Sequence, residues 1–152
     1  MKKISIYLGI PLLMVLVSVV GSAFTNIGLE GWYDSLILPE FTPPGGVIGL
    51  VWTIIYILTA ISAILFYRNH QDSRVTLTLV VNLLLNVSWS YVFFTAHLIG
   101  LAVLWAGTLG LSVLVLMVLM RKKSRVSALL LTPYLVWTSF ATYLNYVIYT
   151  LN

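Results

Sequence analysis

The sequence contains no cysteine, and only 8% of its 152 residues are charged. Without cysteine, neither a disulfide nor a thiolate metal site can form. A water-soluble domain carries about 25% charged residues, so the 8 basic and 4 acidic residues here are too few for a soluble surface. The 61% hydrophobic content instead indicates a membrane protein, with a length suited to one compact domain.

The formal net charge of +4 does not indicate a nucleic-acid-binding protein, because its charges lie in short segments between apolar runs. Four of these runs carry no charged residue: 4–29, 41–67, 75–120 and 126–152. One bilayer span takes about 20 apolar residues, so the third run is long enough for two helices. The step Thr95-Ala96-His97, followed by Gly100, is its natural break.

We therefore predict an all-α fold, a polytopic membrane protein whose single domain, 1–152, is a bundle of five transmembrane helices. The predicted spans are 4–26, 46–67, 75–95, 99–120 and 127–149. The loop 27–45 between the first two spans is the longest connection. Its prolines and aromatic rings predict a rigid segment.

The charged residues predict an orientation for these spans. With five spans, every basic residue falls on one side: Lys2, Lys3, Arg68, Arg74, Arg121, Lys122, Lys123 and Arg125. The other side holds Glu30, Asp34 and Glu40. Basic residues in short loops stay in the cytoplasm, which predicts a cytoplasmic N-terminus and an external C-terminus.

The N-terminal segment has a second interpretation. Lys2-Lys3, an apolar run and Gly21-Ser22-Ala23 resemble a secretory signal with a small-residue cleavage site, which would remove residues 1–23. The apolar run from Ile4 to Val20 is longer than the usual signal core of about 7–15 residues. A retained first helix is therefore favoured.

Three predicted spans each place a tryptophan on one helical face beside small or polar residues. These stripes are Trp52, Tyr56 and Thr59; Asn82, Asn86, Trp89 and Phe93; and Pro133, Trp137, Ala141 and Asn145. One interpretation is helix packing through amides and small residues, with tryptophans in the interfacial belt. The other is a cavity with flat apolar walls, and Pro133 is expected to bend its helix.

The spans contain no Asp, Glu, Lys or Arg that could act as a buried acid or base, and no histidine stands beside one of their serines in a nucleophile arrangement. His70 and His97 fall on opposite sides of the membrane and cannot share a metal ion. His97 could ligate a haem iron. The alternative interpretation is an ordinary histidine at the end of a loop. Neither intramembrane charges nor internal repeats indicate an ion-driven transporter.

Three motifs resemble the translocator protein family, also called the tryptophan-rich sensory protein or peripheral-type benzodiazepine receptor family. The first runs from Trp32-Tyr33 through Leu36, Pro39 and Phe41-Thr42-Pro43-Pro44 to Val51-Trp52-Thr53 and Tyr56. The second is Asn86-x-x-Trp89-Ser90-x-x-Phe93-Phe94. The third is Pro133-Tyr134-x-x-Trp137-x-x-Phe140-Ala141-Thr142-x-Leu144-Asn145-Tyr146.

This resemblance implies a five-helix bundle, often dimeric, that binds porphyrins such as protoporphyrin IX or haem and needs no other cofactor. It implies a bacterial cell membrane protein whose first loop covers the pocket as a lid. The implied pocket residues are Gly45, Ile48, Gly49, Trp52, Asn86, Trp89, Trp137, Ala141 and Leu144, to which we add Trp32 from the lid and Phe93 from the stripe.

Three positions depart from the animal members of the family. Ala23 stands where they carry an arginine. No basic residue follows Tyr146, so their cholesterol motif, weak in itself, is broken and sterol binding is not expected. Trp105 replaces a polar residue of the fourth span, which we expect to serve packing more than the pocket.

Three functions are compatible with these residues. The first is binding of porphyrins for transport or sensing, because tryptophan and phenylalanine faces suit a flat macrocycle. The alternative is light- or oxygen-dependent porphyrin breakdown, with Trp52 and Trp137 as the redox-capable residues. A third possibility is a scaffold that acts through a dimer face. The lack of acid–base residues favours binding over catalysis.

Overall fold

A computed structural model describes residues 2–152, and the surroundings of side chains from residue 6 onward. Five long helices and one short helix make up the fold: α1 (Lys2–Leu29), α2 (Gly45–Tyr67), α3 (Ser73–Ser90), α4 (Ile99–Arg121), α5 (Arg125–Leu129) and α6 (Thr132–Leu151). The side chains of Lys2 and Lys3, which contribute to the predicted orientation, lie outside the described part.

The long helices form a five-helix transmembrane bundle, as the apolar runs predicted. Four segments are long and apolar enough to cross a membrane: Ile6–Leu29, Gly45–Tyr67, Ser73–Thr95 and Ile99–Arg121. The fifth long helix, α6, is more polar because it carries several threonines, Ser139 and Asn145. The end of α1 differs from the predicted bounds, since the helix continues to Leu29 instead of ending at 26.

The predicted fifth span is not one bent helix. The short helix α5 ends at Leu129, and α6 begins at Thr132 with Pro133 in its first turn. Proline has no N–H to donate, so the first turn of a helix is where it disturbs the hydrogen bonding least. Pro133 therefore starts a new helix, and the prediction that it bends a continuous one is wrong.

The end of α3 widens into a single π turn over Tyr91–Thr95. The N–H of Ala96 donates to the Tyr91 carbonyl at 2.8 Å, a spacing of five residues instead of the usual four. The turn is packed tightly on α1, because a methyl group added at Gly28 would overlap the Phe94 carbonyl. Thr95 Oγ1 also donates to the Phe24 carbonyl of α1, at 3.2 Å.

The helices pack in the order α2–α1–α3–α4–α6, and α5 contacts α2 and α4. Near α5 the bundle is closed, since Ser62 Oγ donates to the Ser127 carbonyl at 2.7 Å and Phe66, Leu116 and Leu131 are almost fully buried. We call this the basic end, because Arg68, Arg74, Arg121, Lys122, Lys123 and Arg125 lie here.

Another apolar cluster lies at the opposite end of the bundle. We call this the lid end, because the loop 30–44, which was predicted to act as a lid, lies there. Its buried members are Val92, Phe93, Phe94, Ala102, Leu144 and Ile148.

Candidate functional site

A cavity of about 760 Å³ lies between all five long helices, beneath the loop 30–44. Ligand pockets for small molecules usually measure about 300–1,000 Å³. Helices α1, α2, α3 and α6 supply most of its wall, and α4 adds Ala106 and Leu109. The loop contributes Tyr33, Leu38, Thr42, Pro43 and Pro44. Among the described residues that line the cavity, none carries a formal charge.

The structure places ten of the eleven predicted pocket residues in this wall: Gly45, Ile48, Gly49, Trp52, Asn86, Trp89, Phe93, Trp137, Ala141 and Leu144. They come from three helices, because the stripes on α2, α3 and α6 face a common space. Asn82 and Thr59, further along two of these stripes, are buried outside the lining, towards the basic end.

Trp32 is the exception among the predicted pocket residues. Its ring stacks on His97, with centroids 4.1 Å apart and planes 9° apart, and meets the edge of Phe93 at 5.4 Å. His97 adopts a positive φ of 59°, a conformation uncommon for residues other than glycine. Trp32 therefore anchors the loop to the corner between α3 and α4 instead of lining the cavity. His97 also lies outside the cavity wall.

The wall from α1 was not predicted residue by residue. It consists of five small or polar residues, Ser18, Gly21, Ser22, Thr25 and Asn26, and of the apolar Leu29 at the end of the helix. The signal was present in the sequence, since Ser18, Ser22 and Thr25 follow one another at intervals of four and three residues, as one helical face requires. Ala23, the departure from animal members on this helix, is exposed outside the lining.

A buried hydrogen-bonded chain forms the floor of the cavity. Tyr56 Oη donates to Asn86 Oδ1 at 2.7 Å, and Asn86 Nδ2 donates to Tyr134 Oη at 3.1 Å. Tyr134 Oη then donates to Asn82 Oδ1 at 3.2 Å, and Asn82 Nδ2 donates to Ser112 Oγ at 2.8 Å. The chain joins α2, α3, α6 and α4, so it fixes the helices around the cavity.

Three polar atoms of the wall have no hydrogen-bond partner among the described residues: Trp89 Nε1, Trp137 Nε1 and Asn145 Oδ1. Asn145 is 4% exposed, and its Nδ2 donates to the Ala141 carbonyl at 2.7 Å, which fixes the amide and turns Oδ1 away from that bond. A buried polar atom without a partner costs free energy. All three atoms are themselves buried, so a bound molecule would reach them only if the side chains of the wall shifted.

Two further contacts hold the loop 30–44 in place. The Asn152 amide pairs with the backbone of Ile37, accepting from its N–H at 2.9 Å and donating to its carbonyl at 3.1 Å. The ring of Phe41 stacks on Tyr143 of α6, with centroids 5.7 Å apart. Burial raises the pKa of the Tyr33 phenol, and the Asp34 carboxylate raises it further, so this loop residue in the lining stays neutral at physiological pH.

Helix α4 contributes to packing more than to the cavity, as predicted for Trp105. The Trp105 indole lies outside the lining, and its Nε1 donates to Ser88 Oγ of α3 at 2.8 Å. The described residues contain no group of three or more His, Asp or Glu side chains that could hold a metal ion. The cavity therefore combines aromatic walls with neutral polar groups.

Comparisons with known proteins agree with this architecture. The TspO/MBR family model matches residues 9–151. A tryptophan-rich protein TspO of Bacillus cereus is 36% identical over 123 residues, which are 80% of each chain. Another, of Archaeoglobus fulgidus, is 40% identical over 136 residues, or 87% of each chain. The translocator protein of Homo sapiens is 31% identical over 138 residues, covering 88% of this chain and 82% of the human one.

Proposed function

The chain belongs to the TspO/MBR family, and from that membership and the cavity we propose that it binds porphyrins or related tetrapyrroles within the membrane, in their transport or sensing. Family membership confirms the resemblance expected from the three sequence motifs. The ligand and its handling are our proposal.

The observation that carries the proposal is the shape and chemistry of the wall. Trp52, Trp89 and Trp137 line the cavity from three different helices. The Trp89 ring stacks on the ring of Phe93, with centroids 5.6 Å apart. Aromatic faces bind flat conjugated rings well, because offset-stacked and edge-to-face contacts add to the burial of apolar area. A macrocycle with two large apolar faces matches such a wall.

The orientation of the bundle is also part of the proposal. The basic residues at one end and Glu30, Asp34 and Glu40 at the other favour a cytoplasmic basic end. The cavity, which lies beneath the loop at the lid end, would then face the exterior. A porphyrin would enter from the external side or from the outer half of the bilayer.

Two measurements on the purified protein test the proposal. First, pigments extracted from the protein, as isolated in detergent from its own membrane, are identified by mass spectrometry. We expect a tetrapyrrole, enriched over a pentaspanning membrane protein from another family prepared in the same way. Second, protoporphyrin is titrated into the protein in lipid nanodiscs, and quenching of tryptophan fluorescence is followed. Saturable quenching supports the proposal, and quenching that only matches free tryptophan in empty nanodiscs contradicts it.

The same titration separates binding from porphyrin breakdown. Repeated turnover into a defined product, under illumination and oxygen, would favour the degrading activity. Binding without turnover favours transport or sensing. Trp52 and Trp137 line the cavity, so a ligand-dependent oxidation of either indole would be visible in the intact mass of the protein.

A further inference from the structure

A groove of about 680 Å³ lies at the surface of the basic end, where the end of α2 meets the start of α3. Its wall consists of Tyr67, Gln71, Asp72, Ser73, Thr76, Leu77 and Val80. None of these residues lines the cavity beneath the loop 30–44. The groove is therefore separate from the candidate site described above.

The wall of the groove changes from polar to apolar along α3. Tyr67 ends one candidate membrane span and Ser73 begins the next, so the boundary of the apolar layer falls near these two residues. Leu77 and Val80 are 66% and 47% exposed, one and two turns further along α3. With a helical rise of about 1.5 Å per residue, Val80 lies about 10 Å deeper than Ser73. The groove thus extends from the level of lipid headgroups to the level of acyl chains.

Two cations lie beside the polar part of the groove, on either side of the Asp72 carboxylate. Lys123 Nζ is 3.2 Å from Asp72 Oδ2, and Arg74 donates to the two carboxylate oxygens through Nε and Nη2, each at 3.3 Å. The Asp72 side chain is only 8% exposed, whereas those of Arg74 and Lys123 are 74% and 40% exposed. An anion approaching from outside therefore reaches the cations before the carboxylate.

These two cations keep donors for a second anion. An ammonium group has three N–H donors and a guanidinium group has five, and the Asp72 carboxylate takes one from Lys123 and two from the Arg74 side chain. The three side chains together carry one net positive charge, since two cations face one carboxylate. The other acidic residues of the sequence, Glu30, Asp34 and Glu40, belong to the lid end.

The groove is also held in a fixed shape. Tyr67 Oη donates to Thr76 Oγ1 at 2.9 Å, and Thr76 Oγ1 donates to the Asp72 carbonyl at 3.1 Å. These bonds join the end of α2 to the first turn of α3. A ligand therefore meets a groove that is already formed.

We propose that this groove binds one anionic phospholipid of the leaflet at the basic end, with its phosphate against Arg74 and Lys123 and an acyl chain along Leu77 and Val80. Basic residues next to a membrane span attract anionic headgroups. A soluble phosphate would leave the apolar part of the groove unfilled, and a zwitterionic lipid would bring its own cation next to the two present. An anionic phospholipid matches both the charge and the apolar wall.

The test is native mass spectrometry of the protein in a nonionic detergent, titrated with phosphatidylglycerol or with phosphatidylcholine of the same acyl chains. We expect the first phosphatidylglycerol to bind about fivefold tighter, the effect of one net positive charge near the surface. Glycerol phosphate, which lacks acyl chains, should bind at least about tenfold more weakly than phosphatidylglycerol. Equal affinities for the two lipids, or for glycerol phosphate and phosphatidylglycerol, overturn the proposal.

Lys123→Gln tests the cations, because it leaves Arg74 and Asp72 to neutralise each other. We expect it to abolish the preference for phosphatidylglycerol over phosphatidylcholine. Lys122→Gln is the matched control, since Lys122 is the exposed neighbour of Lys123 and lies outside the groove wall. Its preference should equal that of the parent. The same loss in both variants would mean that the basic end attracts anionic lipid without using this groove.

Val80→Trp tests the apolar part of the groove by filling it, and it should weaken phosphatidylglycerol binding at least about fivefold. Leu84→Trp is its control, because Leu84 lies one turn deeper on the same face of α3, 66% exposed and outside the wall. It should bind like the parent. Melting curves show that both variants are folded, and parent-like affinity in folded Val80→Trp contradicts a lipid in the groove.

Discussion

The Trp137 side chain lies in the cavity wall on α6, and its Nε1 has no partner among the described residues. Its ring also meets Phe140, with centroids 5.4 Å apart. Trp137 thus lines the cavity with its ring and has a buried N–H without a partner, and the contributions of the two to binding can be separated by substitution.

Trp137→Ala should weaken protoporphyrin binding by about 1–3 kcal/mol, the range found when aromatic stacking is removed, which is about five- to hundred-fold in the dissociation constant. Trp137→Phe keeps an aromatic face and loses the donor, so its loss should be smaller. The measurement is tryptophan-fluorescence quenching, with melting curves to show that each variant is folded.

Trp105→Ala is the matched control, since this indole lies outside the wall and donates to Ser88. We expect it to lower the melting temperature more than the affinity. Binding lost in Trp105→Ala and kept in Trp137→Ala would mean that α4, and not α6, forms the aromatic wall.

The difference between Trp32 and the other predicted residues shows the limit of reasoning from side-chain types. A sequence shows that Trp32 is aromatic and near the pocket, but its direction depends on the path of the loop 30–44. That path is determined by long-range contacts, including the stack on His97 and the pairing of Asn152 with Ile37. Stripes on helices were predictable because helical periodicity fixes which residues share a face.

The π turn at Tyr91–Thr95 is held against α1 at Gly28. The two elements can approach this closely because glycine has no Cβ. The turn brings Phe93 and Phe94 into the wall of the cavity, so its position matters for the site as well as for stability.

Gly28→Ala should destabilise the bundle by about 1–3 kcal/mol, the usual cost of overpacking, and weaken protoporphyrin binding as the π turn shifts. Gly9→Ala is the control on the same helix, because a Cβ there meets no atom within 4 Å. Thermal unfolding in detergent measures the stability of both. Equal melting temperatures for the two variants would show that α1 and the π turn are further apart than described.

Asp72 connects two elements at the basic end. Its carboxylate accepts from the backbone N–H of Arg74 at 3.0 Å, which caps α3, and from Lys123 Nζ at 3.2 Å. Hydrogen bonds from the Arg74 and Lys123 side chains, and then from the Arg74 N–H, hold the pKa of this carboxyl well below its ordinary value of 3.8. Its contribution to stability is therefore complete above that ordinary value and is lost as the pH falls towards the lower value of the folded state.

Asp72→Asn should lower the melting temperature near neutral pH, and the difference from the parent should shrink as the solution is acidified below about pH 4. Melting curves at several pH values measure it. Asp34→Asn, at an exposed position in the loop 30–44, is expected to melt close to the parent. A difference for Asp72→Asn that is the same at every pH would show that the carboxylate charge is not what stabilises this end.

The helices could be predicted from the sequence because the bilayer leaves few alternatives: an apolar run of sufficient length must be helical. The break between α3 and α4 was predicted from Thr95, His97 and Gly100. The π turn was not predicted, because one extra residue in a helical turn does not change the apolar character of Tyr91–Thr95. The separation of α5 from α6 depends on Pro133, whose effect on a helix varies with its place in the turn.

Taken as a whole, the bundle separates its charges, with all lysines and arginines in the N-terminal segment and the loops of the basic end. We expect reporter fusions after residues 70, 97, 123 and 152 to read inside, outside, inside and outside, because basic loops remain in the cytoplasm. An intact-mass measurement on the same protein shows whether residues 1–23 are retained. Any other alternation of the reporters would contradict the proposed orientation.

The central proposal is that porphyrin occupies the cavity between the helices. Gly49 lines the cavity, and a Cβ there would meet no atom within 4 Å, so a large side chain can be accommodated only by filling that space. Val47 lies two residues earlier on the same helix, outside the wall and 46% exposed. Gly49→Trp and Val47→Trp therefore add the same ring inside and outside the cavity.

The decisive measurement is the affinity of protoporphyrin for these two variants in nanodiscs, with melting curves to establish that both are folded. We expect Gly49→Trp to weaken binding at least about tenfold, or by about 1.4 kcal/mol, and Val47→Trp to bind like the parent. Unchanged affinity in a folded Gly49→Trp protein would show that porphyrin binds elsewhere.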